Sequence, residues 1–307
     1  MEFEFLQESK VYLQHGSNYY NLHVETDVSF GQTFKQGEYK TRTLHNQKNL
    51  FEGSTITTAN PASFSFSIPM VDNSSNQHKP IDLLLDYNGD TLNTFTLFFD
   101  PETSSKMYKL ENCVITSGAF SINRGRVMSV GIDGEGTELS RITGPFSTLG
   151  VSLQAYVDSD DLSYAVPRVL DLTVDGNTLE NIISIGLEVQ NDISWTKNTT
   201  LHDSLSVTNS TNTIYPTNFT LEGRTLSGSF SQYVNQTVTQ SYNNWFTWKE
   251  NVPINIRAGL ASNNYQLQAL LPGSSFTNRP NTGDVLTQSY DFRLMTSPSD
   301  LNSYFTY

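Results

Sequence analysis

About half-way along, the sequence begins again, and that constrains the fold more than anything else in it. Tyr12 and Leu13 before His15-Gly16 correspond to Leu170, Leu172 and Val174 before Asp175-Gly176, and Thr43-Leu44-His45 returns as Thr200-Leu201-His202. Further on, Phe66-Ser67 matches Phe230-Ser231, and Tyr108-x-Leu110 matches Tyr265-x-Leu267. Asn123-x-Gly125-x-Val127 matches Asn281-x-Gly283-x-Val285, and Asp133 matches Asp291. The spacing runs from 157 residues (Thr43 to Thr200) to 164 (Phe66 to Phe230), always in the same order. A colinear series of this kind reads as a duplication. The expected organisation is a first domain over 1–142, a linker over 143–167 and a second copy over 168–307.

A chain of 307 residues is long enough for two such units, each with its own core. Hydrophobic residues make up 36% and charged residues 16%, while aromatics reach 12%. With Ser, Thr and Asn abundant, that mixture predicts a mainly β protein whose strands carry an uncharged polar face. The net charge of −13 argues against gripping nucleic acid through its phosphates, which takes clustered Lys and Arg. It suits a surface that keeps nucleic acid from sticking. No apolar run is long enough to span a membrane, and the acidic start lacks the basic flank and apolar core of a signal peptide. A single cysteine, Cys113, leaves no internal disulfide. The expectation is a soluble protein made in the cytoplasm.

Taken in order, Val11–Leu13 and Asn21–Phe34 read as strands around a hairpin turn at His15–Asn18. Residues 35–60 lose the pattern and read as a long polar loop, which inside a compact domain implies a task or a partner. Phe64, Phe66 and Ile68 alternate with serines as a half-buried strand. Pro80 and the apolar residues after it predict a short helix over 80–88. Strands follow over 94–99, 107–116 and 126–132. In the second copy, 170–174, 183–189, 226–234, 252–258, 264–271 and 284–295 read as strands, 197–216 as the matching polar loop. Val238, Tyr242, Trp245 and Phe246 fall on one face of a helix over 237–249.

Motifs for chemistry are scarce. His15, His23, His45, His78 and His202 form no metal-ligating pattern with each other or with Cys113. Asp86-Tyr87-Asn88-Gly89-Asp90 opens like a calcium loop but has Leu97 where the twelfth-position acid belongs, so it reads as a helix terminus at Gly89. Gly131-x-x-Gly134-x-Gly136 has no phosphate-binding spacing and reads as a turn. Asp158, Asp160 and Asp161 read as a solvated linker cluster, and Trp245 and Trp248 as core more than as a sugar platform. No catalytic residue, cofactor or metal site emerges, and the expectation is a protein that is not an enzyme.

The segment VITSGAFSINRGRVMSVGIDGEGTELSRI, beginning at Val114, resembles the closing part of the tail tube proteins of long-tailed bacteriophages, and NRPNTGDVLTQSYDFRLM, beginning at Asn278, resembles it again. The resemblance implies tandem β-sandwich domains, each with one flanking helix and a long loop or hairpin. Such domains close six to a ring, so three two-domain chains would form a pseudo-hexamer. Their strands line a lumen through which double-stranded DNA passes without specific binding, and the loops reach the neighbouring ring or subunit. By that resemblance the contact residues are Lys35, Tyr39, Lys40, Arg42, His45 and Lys48 in the first copy, and Lys197, His202, Asp203 and Tyr215 in the second. The implied partners are further copies of the chain, a tape-measure protein, baseplate or hub proteins and a tail terminator, all within the virion tail and without membrane insertion. The alternatives are a baseplate hub or tail-end ring of the same fold, a carbohydrate-binding or host-recognition β-sandwich, and a β-sandwich hydrolase, for which no acid–base pair can be nominated.

Overall fold

The computed structural model describes residues 9–25, 28–39, 53–71, 75–86, 91–101, 104–123, 125–154, 163–196, 214–234, 248–261, 264–281, 285–295 and 301–307. The first half comprises β1 (Lys10–His15), β2 (Asn18–Leu22), β3 (Ser29–Gly31), β4 (Phe34–Tyr39), β5 (Gly53–Ala59), β6 (Ala62–Pro69), α1 (Lys79–Leu85), β7 (Phe95–Asp100), β8 (Lys106–Ile122), β9 (Ser129–Gly136) and β10 (Glu138–Thr143). The second comprises β11 (Val169–Val174), β12 (Asn177–Leu179), β13 (Ile182–Thr196), β14 (Asn218–Tyr233), β15 (Lys249–Ala261), β16 (Asn264–Asn281), β17 (Thr287–Leu294) and β18 (Phe305–Thr306). The fold is mainly β, with antiparallel pairing throughout the named strand ladders.

Strand for strand, the pairing order of the first half recurs in the second. The hairpin β1–β2 passes through β7 to the first part of β8, whose other side takes β10. The hairpin β11–β12 passes through β15 to the first part of β16, whose other side takes β18. The second part of β8 continues into β9, β6 and β3, as the second part of β16 continues into β17, β14 and β13. The long strands therefore belong to two layers at once, and the two halves join where Ser117–Ile122 of β8 pairs with Ile185–Gln190 of β13. One eight-stranded path results: β3-β6-β9-β8-β13-β14-β17-β16.

Alternation explains which face of that path is inside. Phe64, Phe66 and Ile68 of β6, Val130 and Ile132 of β9 and Phe120 and Ile122 of β8 are buried, and so are Leu187 and Val189 of β13 and Phe230 of β14. With period-2 side chains, the residues between them must face the other way. A single apolar cluster runs through both halves. Residues near the C-terminus help to join them: Phe305 stacks on Phe120 with ring centroids 5.5 Å apart, and Tyr307 donates from its hydroxyl to Asp82 of α1 at 2.7 Å. Helix α1 lies on the buried side of the β8–β13 join. Its Leu84 fills the space over Gly118, where a Cβ would come within 2.1 Å of the leucine Cδ2.

Two close approaches show the halves solving one packing problem in opposite ways. In the first, the ring of Phe64 on β6 covers Gly134 on β9, directly opposite it. In the second, the ring of Phe292 on β17 covers Gly228 on β14. The aromatic and the glycine have changed strands. A Cβ on Gly134 would sit 2.2 Å from the Phe64 ring, and one on Gly228 2.4 Å from the Phe292 ring.

Several expectations need correction. Gly131, Gly134 and Gly136 lie within β9, not in a turn. The lack of a side chain serves close packing at Gly134 and Gly136, where a Cβ would come within 2.2 and 2.8 Å of its neighbours. Residues 35–60 are not irregular throughout: Phe34–Tyr39 pairs with Gly53–Ala59 as a separate two-stranded sheet whose strands have no buried face and so left no periodic signal, while 40–52 lie outside the described residues. Asn21–Phe34 is not one strand, because β2 ends at Leu22 and β3 covers only Ser29–Gly31. Within the span expected as a linker, Phe146 stacks on Tyr12 at 3.8 Å and Tyr164 makes an antiparallel bridge to Val71, while most of its other described residues are exposed. The helix of 80–88 ends at Leu85 with Asp86 as its cap. Of the helix expected over 237–249, residues 237–247 lie outside the described residues and Lys249 opens β15. The turn match is displaced by one residue, since Gly16 leads its two-residue turn and Gly176 follows Asp175 in the other.

Candidate functional surface

The outward face of the eight-stranded path is built almost wholly of small polar residues. Ser63, Ser65 and Ser67 alternate on β6, Ser117, Ala119 and Ser121 on β8, and Ser227, Ser229 and Ser231 on β14. On β13 the corresponding positions are Ser184, Gly186, Glu188 and Gln190; on β17 they are Ser289, Asp291 and Arg293. Short side chains leave a low, even surface, and hydroxyl groups wet it without attracting a polyanion.

Charge on this face is sparse and mainly negative: Asp133 and Glu135 of β9, Glu188 and Asp192 of β13 and Asp291 of β17, against Arg279 and Arg293. The acids avoid one another across strands. Asp133 stands opposite Ser65 and Ser117, Glu188 opposite Ala119 and Ser227, and Asp291 opposite Ser229 and Thr277. Like charges directly opposite would destabilise the sheet, so spacing lets the face stay acidic without that cost. Neighbours hold the carboxylates: Ser117 donates to Asp133 at 3.1 Å, Gln190 to Glu188 at 2.7 Å and the Trp195 indole N–H to Glu135 at 2.6 Å. Arg279 pairs with Asp291, and that contact raises the guanidinium pKa.

Two arms leave the same rim of this sheet. One is the β4–β5 hairpin, whose base is fixed by Gln32: its amide N–H groups reach Asn60 O and Thr137 O, each at 3.0 Å, and its carbonyl accepts from Leu139 N–H at 3.0 Å. The other is the far end of β13 and β14, beyond the irregularity at Asp192/Ile193. They touch each other, since Ala59 N–H donates to Ile214 O at 2.8 Å and Tyr215 meets Phe34 edge-on at 6.4 Å. Apolar side chains on the first arm stay uncovered, with Phe34 43% and Ile56 53% exposed. The opposite rim also carries uncovered apolar residues: Ile183, Tyr233, Val285 and Leu286. Backbone bonds from Tyr233 N–H to Asn181 O and from Val234 N–H to Leu286 O hold that group together, each at 3.0 Å.

Of the residues expected at contacts, Lys35 and Tyr39 fall on β4, and Tyr215 sits where the arms meet; burial, then the nearby Glu138, raises the Tyr215 hydroxyl pKa. The structure thus brings Tyr215 beside the strand that carries Lys35. Lys40, Arg42, His45, Lys48, Lys197, His202 and Asp203 lie outside the described residues. Sequence reasoning missed Gln32, Phe34, Ile56 and Trp195, and above all the acids of the polar face. A signal for that face existed in the Ser-x-Ser-x-Ser runs at 63–67 and 227–231. Cys113 is buried, its thiol donates to Leu110 O at 3.3 Å, and burial pushes its pKa up. Among the described residues no group of His, Cys, Asp and Glu could hold a metal ion, and no helix is long and apolar enough to cross a membrane.

The described surface thus combines a polar, weakly acidic sheet, arms on one rim and an apolar patch on the other. In a comparison with protein families, the model of the Bacteriophage Baseplate Tube Protein Family matches residues 1–306. The chain belongs to that family. Its role is structural, in the tail or baseplate of the phage virion. No match is found among curated proteins.

Proposed function

We propose that the protein is a tube subunit. Three chains, each an internal duplication of one tube-type unit, close into a pseudo-hexameric ring, and stacked rings form the conduit for DNA ejection. The observation that carries this reading is the eight-stranded sheet with one face in the core and the other covered by serines and spaced acids. Turned toward a lumen, that face repels phosphate and offers no cationic cluster, so passing DNA is not held by counterion release. The repeated pairing order of the two halves supports the duplication. Arms on one rim and an apolar patch on the other are the complementary ends that a head-to-tail, open-ended stack requires. Tape-measure, hub and terminator proteins are the expected neighbours of such a stack.

A second reading, favoured by the word baseplate in the family's description, is a single closed ring at the end of the tail. Negative-stain microscopy of concentrated protein, with its mass in solution, tests both. Hollow tubes with a regular axial repeat are expected; closed rings that never stack would transfer the assignment to the baseplate ring. A monomer at every concentration, also in the presence of isolated baseplates, would overturn the proposal.

A further inference from the structure

We infer that β16 of one chain pairs with β3 of the next, in the register that β8 and β13 already adopt inside the chain. The inference rests on the ring reading and says which edges close it. Along the path β3-β6-β9-β8-β13-β14-β17-β16, β8 is the last strand of the first four and β13 the first of the second four. Their join is therefore a back-to-front contact between two units of like topology. At the ends of the path, β16 holds the place of β8 and β3 the place of β13. Among the described strands, β3 pairs only with β6, and residues 277–281 of β16 pair only with β17. Edges that take no second described strand are templates for another chain.

The pairings fix the register. Asp133 is opposite Ser117 and Asp291 is opposite Thr277, so Ser117 corresponds to Thr277, Ala119 to Arg279 and Ser121 to Asn281. Ser65 is opposite Asp133 as Ser229 is opposite Asp291, so Ser29, which faces Ser65, corresponds to Gly186, which faces Ser229. Inside the chain Ser121 faces Gly186 and Ala119 faces Glu188. Between chains, Asn281 then faces Ser29 and Arg279 faces Gly31. Side-chain size is complementary there as it is within: a long Glu188 lies against a short Ala119, and a long Arg279 against Gly31, where a Cβ would meet nothing within 4 Å. Burial agrees with a missing neighbour at the inward position the two edges share, because Phe120 of β8 is buried whereas Pro280, which corresponds to it, is exposed. Pro280 lacks an N–H, which makes this edge a poor template for indiscriminate pairing.

The test is cysteine cross-linking in the full chain, with buried Cys113 as an inert background. Facing residues of an antiparallel pair have Cα atoms about 4.5–5.5 Å apart, within disulfide reach. Mild oxidation of Ser29→Cys/Asn281→Cys, and independently of Gly31→Cys/Arg279→Cys, should give reductant-sensitive covalent dimers and trimers. Ser29→Cys/Thr277→Cys, about 13 Å out of register at strand spacing, should not. Rings that form by mass without either cross-link would refute these edges and leave the ring standing. Cross-linking by Ser29→Cys alone would also refute them, in favour of a two-fold contact. Failure of the wild-type chain to form rings under any condition sinks the ring reading and this inference with it.

Discussion

Arg224 holds the two halves together, and removing it should show how much that join contributes. It projects from β14, donates from Nε to Asn191 Oδ1 at 2.8 Å, and donates from Nη2 to the carbonyls of Leu84 at 2.8 Å and Leu85 at 3.2 Å. Those carbonyls belong to the last turn of α1, which has no later residues to bond them. Asn191 in turn donates to Ile115 O at 2.9 Å, so one side chain links β14, β13, β8 and the helix. Arg224→Met keeps most of the stem and removes the charge and the donors. A hydrogen bond to a charged group is worth about 1.5–3 kcal/mol net, and a buried acceptor left unsatisfied costs about 1–3 kcal/mol. Arg224 is only half-buried, so water can serve some of the released acceptors. The expected loss is about 3 kcal/mol. Urea unfolding measures it, and amide exchange locates it. With seven residues, α1 cannot hold its shape without packing and should exchange faster in the variant. Arg224→Lys, which can bond fewer acceptors, should fall between. A variant within about 0.5 kcal/mol of wild type, the usual noise of neutral surface changes, would refute the reasoning.

Three further outcomes are expected. Glu138 stands opposite Glu111 on β8, and burial followed by that charge raises its pKa. A raised carboxyl pKa means the folded state binds the proton more tightly. Stability therefore falls as pH rises through the window above the ordinary value of 4.5. Glu138→Gln should stabilise at pH 7 and lose its advantage below about pH 4, where both states are protonated; equal effects at the two pH values in thermal melts would refute this. Gln288 is fully buried, and neither side-chain polar atom finds a hydrogen-bond partner among the described residues. Gln288→Leu should therefore raise stability in urea by about 1–2 kcal/mol, whereas a loss would reveal a partner for the amide. Gly228→Ala would put a Cβ 2.4 Å from the Phe292 ring and 2.5 Å from Gly186 O, and overpacking of this kind costs about 1–3 kcal/mol. Adding Phe292→Leu should rescue only part in the same assay, because the carbonyl cannot withdraw; full rescue would mean the backbone contact is unimportant.

The polar-face acids could not have been chosen from the sequence. Asp133 and Asp291 stood out as a repeated pair, yet their outward direction follows only from which neighbours are buried. Glu188 lies inside its expected strand with nothing local to mark its outward direction, and Asp192 lies past the residues expected for that strand, which runs on into the second arm. Phe34 and Ile56 were hidden for another reason: a hairpin without a buried face has polar and apolar residues in no regular period.

What the sequence determined by itself was a mainly β chain whose strands carry one buried face. The alternation around Phe66, Val130 and Phe230 is local chemistry, and it dictates strands with one buried face. Pro80 followed by apolar residues likewise dictates a short helix. Tertiary structure decided the rest. Pairing partners are far apart in the chain, so nothing local announces that β8 joins β13 or that β3 and β16 end the path of described strands. Nor could composition reveal that Phe64 and Gly134 exchange roles with Gly228 and Phe292, since either arrangement fills the same space. Local pattern sets what each strand can bury, and long-range contact sets what it buries against.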